Sequence, residues 1–112
     1  MKENLLKIIH YYGINEQLKY IHSEYYELDE AILQYEFGRH DSCYPDGVVS
    51  GAKSHVVEEI ADVMVMLKQL QYYFNIEDYW VEEVMKKKID RQLNRIEDEK
   101  RSWELINSEE IK

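Results

Sequence analysis

Apolar residues recur along this 112-residue chain at three- and four-residue steps, the period of helices packed along one side. Leu5, Leu6, Ile8, Ile9 and Tyr12 predict a first helix over 2–12, with Gly13 as a natural stop. Asn15 and Glu16 offer a fresh start, with an acid at the positive end of the helix dipole. Ile14, Leu18, Ile21, Tyr25, Leu28, Ile32 and Tyr35 then predict a second, amphipathic helix of about six turns, ending near Phe37 and Gly38. Residues 38–54 hold three of the four glycines and the only proline, so they predict the one long loop. A loop of that length in a small helical domain goes with mobility or function. A third helix is expected from about Ser54 to Phe74; nine of the twelve residues in Val56–Leu67 are apolar, almost all the way round, which predicts burial on most sides. Asn75 with Asp78 resembles a capping box for a fourth helix, whose stripe is Trp80, Met85, Ile89, Leu93, Ile96 and Trp103. The acidic segment after about Arg101 is expected to fray. The pattern predicts an all-α fold, a four-helix-type bundle of three long helices and a short one, in a single domain spanning 1–112.

Composition narrows this further. With 45% hydrophobic and 33% charged residues the chain has a globular balance, and 4 glycines with 1 proline argue against a turn-rich β fold. A net charge of −9 repels nucleic-acid backbones. The single Cys43 excludes an intrachain disulfide and a multi-cysteine zinc site, so His40 and Cys43 read as plain loop residues. No apolar run reaches the roughly 18 residues of a membrane span, and the opening MKENLLKIIHYYG reads as a helix rather than a signal peptide. A cytoplasmic protein without a membrane or nucleic-acid partner is expected. Wide apolar stripes on so short a chain predict a homo-oligomer, dimer or tetramer.

The candidate chemistry lies in the third helix. Within Val56–Leu67 the only polar residues are Glu58, Glu59 and Asp62, all acids, with no basic neighbour in that stretch. At about 100° per residue, Glu59 and Asp62 border a buried face centred on Ile60, and Glu58 projects farther out. On the second helix Glu24 sits beside the apolar stripe and Glu27 about 60° outside it, with Ala31 leaving space above the pair. If the two helices pack antiparallel, four carboxylates converge, and like charges in one place require a counter-charge. A hard divalent cation with oxygen ligands, Mg²⁺ or Mn²⁺, is the simplest one.

EYYE, from Glu24 to Glu27, and EIAD, from Glu59 to Asp62, resemble the E-x-x-E … E-x-x-D signature of the all-α nucleoside triphosphate pyrophosphohydrolases. This is the MazG-like superfamily, with dimeric dUTPases and phosphoribosyl-ATP pyrophosphatases among its members. SEYYELDEAI and VVEEIADVMVML resemble the family's surrounding words, and the resemblance runs from about Leu18 to Arg95. Ser23 stands where the family often has Glu, and the interval of 31 residues from Leu28 to Glu58 is at the long end. The resemblance implies Mg²⁺-dependent hydrolysis of a nucleoside triphosphate, NTP or dNTP, to the monophosphate and pyrophosphate, for nucleotide-pool control or housecleaning. It implies Glu24, Glu27, Glu59 and Asp62 as metal ligands, with Glu27 as the candidate base on the attacking water.

Phosphates usually also meet a protein cation. Lys88, Arg91 and Arg95 share one face of the fourth helix, and Lys53 is a further candidate. Of the ten tyrosines, Tyr20 lies on the strip of Glu24 and Glu27 and is the candidate for stacking on a base, whereas Tyr25 and Tyr35 are assigned to the core. His55, one turn before Glu59, can touch phosphate or a ligand carboxylate. A P-loop motif is absent. A di-iron carboxylate bundle needs Glu-x-x-His pairs, and no Glu here has a His three residues later. The alternative of a different class is a non-catalytic acidic helical partner-binding module, which explains the charge but not why acids interrupt the most apolar helix.

Overall fold

The computed structural model describes residues 1–40 and 46–111, with the side chains of 39, 40, 46–50 and 109–111 outside the description. Its regular elements are α1 (Lys2–Tyr12), α2 (Ile14–His40), α3 (Asp46–Tyr73) and α4 (Asp78–Ile111), with no strand among the described residues. The fold is all-α and built of four helices, as the periodicity implies. The chain divides into two compact units, Met1–Asn75 and Ile76–Lys112.

In the first unit α1 packs on both α2 and α3 through Leu5 and Ile9, the latter wholly enclosed. Gly13 turns the chain with φ +86°, a conformation that costs a side-chain-bearing residue strain, and its N–H donates to the Ile9 carbonyl at 2.8 Å. Asn75 ends the unit in the same left-handed region, φ 56°, which Asn tolerates better than most residues. Its N–H donates to the Tyr72 carbonyl at 3.0 Å, so Asn75 closes α3, two residues short of α4.

The α2–α3 pair forms the centre of this unit. Apart from Ile14 and Glu36, the buried and half-buried residues on α2 fall at Gln17, Ile21, Glu24, Leu28, Ala31, Tyr35 and Gly38, alternating steps of four and three. On α3 the same alternation runs Ala52, Val56, Glu59, Val63, Met66 and Leu70. Two such stripes make a coiled-coil-like seam. The second helix was expected to bury Leu18, Tyr25 and Ile32, but these lie just outside the seam, and Tyr25 is 67% exposed. Ile60, expected at the centre of the buried face of α3, is 44% exposed, and the buried line centres on Glu59 and Met66 instead. The cause is the breadth of both apolar stripes: when apolar residues nearly encircle a helix, hydrophobicity alone does not fix its rotation. Tyr35 is half-buried, as expected of a core residue.

The expected loop over 38–54 is helical at both ends, because α2 continues through His40 and α3 already starts at Asp46. A glycine inside a helix costs only about 1 kcal/mol against Ala, less than a long packed helix gains elsewhere. Cys43 lies outside the described residues, as does the side chain of His40. The second unit is α4, and its helix runs to Ile111 rather than fraying after Arg101. Trp80, Met85, Ile89, Leu93, Ile96 and Trp103, the stripe expected on this helix, are all exposed. No described helix is long and apolar enough to cross a membrane.

Ile9→Ala is expected to destabilise the first unit by about 2–5 kcal/mol, the range for emptying a filled core site, whereas Ile32→Ala on the open side of α2 should cost far less. Chemical denaturation of both variants, followed by circular dichroism, checks the contrast.

Candidate metal centre

Glu24 and Glu59 are members of the seam itself, between Ile21 and Leu28 on α2 and between Val56 and Val63 on α3. Glu27, one turn beyond Glu24, reaches the same place from the exposed edge of α2. One carboxylate oxygen from each of Glu24, Glu27 and Glu59 lies within 4.8 Å of the other two. The antiparallel pairing on which this convergence was conditional holds: the acids meet near the middle of both helices, while Gln17 at the start of α2 bonds to Gln69 near the end of α3. Glu59 is only 7% exposed, although an unpaired carboxylate is among the least favourable groups to bury.

The electrostatics of the cluster are unbalanced. Glu59 Oε2 and Glu24 Oε2 are shut off from solvent and have no hydrogen-bond partner. Burial, then the charges of Glu27, Asp62 and Glu59, push the Glu24 carboxyl above its ordinary value. Burial, then Glu27 and Asp62, push Glu59 up as well, and His55 counteracts this in part. Asp62 is exposed and stands outside the close triad, yet its charge acts on both buried acids. His55 is half-exposed, with Nε2 3.9 Å from Glu59 Oε1 and Nδ1 3.9 Å from Glu58 Oε2. At that separation, across a solvated edge, it offsets little of the negative charge. Glu58 projects into water, as its angle on the helix predicts.

A divalent cation fits this donor set. Three carboxylates converge, two of their oxygens are orphaned, and Glu27 and Asp62 leave one side open to solvent. Hard cations of the Mg²⁺ class take such oxygens and keep several positions for water or phosphate. Of the other sequence candidates, His55 is brought to the cluster. Tyr20, 50% exposed, lies one turn before Glu24, and Lys53 lies on the exposed side of α3 six residues before Glu59. Lys88, Arg91 and Arg95 belong to the second unit. There Arg91 and Arg95 line a shallow hollow with Lys87, Asp90, Asn94 and Asp98, while Lys88 borders an apolar hollow with Trp80, Val84 and Met85.

Sequence reasoning missed one polar pair in this unit. Gln17 Nε2 donates to Gln69 Oε1 at 2.7 Å, with both side chains buried. Gln17 holds a position of the four-three repeat on α2, whereas Gln69 lies beside the repeat on α3, next to Leu70, so only the first carried a signal in the sequence. Compared with models of known protein families, with curated proteins and with solved structures, the chain matches none. What the fold and site define is an all-helical protein with a clustered acidic triad able to coordinate a divalent cation.

The raised carboxyls fix the sign of a pH effect. Below the unfolded-state value both forms of the chain are protonated at these sites and the shift contributes nothing. As pH rises from the unfolded value towards the raised folded values, the unfolded state gives up these protons while the folded state keeps them, so stability falls, and it levels off above the folded values. Without metal, Glu59→Gln should therefore gain stability over the unsubstituted protein as pH moves from 5 to 7.5. Thermal melts of both in chelator across that range check it.

Proposed function

We propose that this protein is a metal-dependent nucleoside triphosphate pyrophosphohydrolase of the MazG-like kind, releasing the monophosphate and pyrophosphate. The observation that carries the reading is the meeting of Glu24, Glu27 and Glu59 within 4.8 Å inside an apolar seam, with two carboxylate oxygens left unpartnered. These are three of the four acids of the E-x-x-E … E-x-x-D pattern, and the fourth, Asp62, lies near enough to act on two of them. Glu24, Glu27 and Glu59 would hold Mg²⁺ or Mn²⁺, with Asp62 beside them. The bound ion supplies charge neutralisation for phosphate oxygens and lowers the pKa of a coordinated water. Glu27, the exposed member of the triad, would accept a proton from water at its carboxylate. Lys53 and His55 are the candidate phosphate contacts on α3, and Tyr20 the candidate base-stacking side chain. A nucleotide-pool or housecleaning role fits such an activity, in the cytoplasm where nucleoside triphosphates are found.

Assembly belongs to the same proposal. Val57, Ile60, Met64 and Leu67 on α3 are between 44% and 60% exposed, beside exposed Leu18, Tyr25 and Ile32 on α2. Contiguous apolar surface of this kind marks an interaction site, and a second copy of the chain is the proposed occupant, in a dimer or tetramer. Sedimentation velocity at micromolar concentration should give at least twice the 13.6 kDa chain mass, and Ile60→Lys should shift it towards the monomer. A monomer in both cases contradicts this part.

The activity is tested by incubating the protein with a panel of NTPs and dNTPs and Mg²⁺ and separating pyrophosphate from orthophosphate. Pyrophosphate is expected from at least one substrate. Glu59→Gln and Asp62→Ala should each lower turnover at least a hundredfold with helix content unchanged. Pyrophosphate from none of the panel would contradict the catalytic reading and favour an acidic partner-binding module.

A further inference from the structure

We infer that the buried bond between Gln17 and Gln69 sets the register of α2 on α3, making this amide pair a positioning device for the acidic cluster. The inference rests on reading that cluster as a cation site. Gln17 is 4% exposed and Gln69 2%, and the bond between them, at 2.7 Å, joins the early part of α2 to the late part of α3. The second amide hydrogen-bonding group of Gln69 faces only the Met66 sulfur, at 3.8 Å, a weak acceptor. The pair is therefore committed to a single partner across the seam.

The spacing carries the argument. Gln17 precedes Glu24 by seven residues, and Asp62 precedes Gln69 by seven. Gln17 precedes Glu27 by ten, and Glu59 precedes Gln69 by ten. On two antiparallel helices, the register that joins Gln17 to Gln69 therefore sets Glu24 opposite Asp62 and Glu27 opposite Glu59. The same alignment sets the small, buried Ala31 opposite His55, which leaves room for the imidazole beside Glu59.

A wrong register is penalised twice. The apolar residues around these amides, Ile21 on α2 and Met66 and Leu70 on α3, cannot replace the bond, so a slip that sets either amide against them leaves it unsatisfied. A slip by one helical turn moves the facing side chains by about 5.4 Å. That exceeds the whole 4.8 Å span of the carboxylate cluster. The apolar part of the seam does not discriminate in this way, because Ile, Leu, Val and Met pack against one another in several registers. A bonded polar pair in a helix interface is a well-attested way of choosing a single alignment, and here it is the pair whose groups satisfy each other, unlike the acids of the same seam.

The experiment measures Mn²⁺ binding to the full chain by the loss of the free-ion electron paramagnetic resonance signal, alongside thermal melts in chelator. Replacing both amides, Q17L with Q69L, keeps the seam filled and removes its polar alignment. The double variant should stay helical and melt no lower than Leu5→Ala, a core change on α1 away from the cluster, yet bind Mn²⁺ at least tenfold more weakly than the unsubstituted protein. Leu5→Ala should lower the melting temperature and leave Mn²⁺ affinity within twofold, which separates positioning from general destabilisation. If the double variant does not fold, Gln17→Met, unbranched and close in volume, is read in the same way. Unchanged Mn²⁺ affinity in a folded amide variant overturns the inference and leaves the cation site standing. No Mn²⁺ binding by the unsubstituted protein overturns the cation site, and the inference falls with it.

Discussion

Three carboxylates of like charge meet inside an apolar helix seam, and that arrangement constrains everything else in the first unit. Glu24 and Glu59 occupy positions that the four-three repeat reserves for core side chains. With Glu27 they place one oxygen each within 4.8 Å of the others, and one oxygen each of Glu24 and Glu59 is shut off from solvent without a hydrogen-bond partner. A chain of marginal stability does not gain by such a cluster on its own terms. Proton uptake relieves part of the cost, which is why both buried acids hold their protons to higher pH than usual. A doubly charged cation relieves more of it, and relieves it at neutral pH.

The helices deliver these acids by an economical geometry. Residues three or seven apart share a face of a helix, so E-x-x-E on one helix and E-x-x-D on the other each present two acids to the same side. The seam then needs only the right rotation and the right register. Rotation is not chosen by hydrophobicity, since α2 and α3 both carry wide apolar stripes and leave Tyr25, Ile32, Ile60 and Met64 outside the seam. Small and polar residues do the selecting. Ala31 is almost wholly buried where the helices come close, and Gln17 and Gln69 bond across the interface. Apolar groups thus provide cohesion, while amides and carboxylates provide the alignment.

Much of this was legible in the sequence, and the rest was not for identifiable reasons. The helices and the stop at Gly13 follow from periodicity and backbone chemistry, and the meeting of Glu24, Glu27 and Glu59 follows from acids interrupting VVEEIADVMVML; Asn75, read as the cap of the fourth helix, instead closes the third. The stripe centres came out one seam position away, because Leu18, Tyr25 and Ile32 repeat with the same period as Gln17, Glu24 and Ala31, and periodicity weights the greasier set. The segment around residues 38–54 read as a loop because glycine count measures local propensity, whereas helix length here is decided by packing. The Gln17–Gln69 bond was invisible because a glutamine at a core position gives no sign of its partner 52 residues away.

Anomalous diffraction from crystals grown or soaked with Mn²⁺ tests the central claim most directly. The account predicts a manganese peak bounded by carboxylate oxygens of Glu24, Glu27 and Glu59, lost in Glu59→Gln crystals treated alike. The same side chains turned outward to bulk water, with no peak between them, would contradict it.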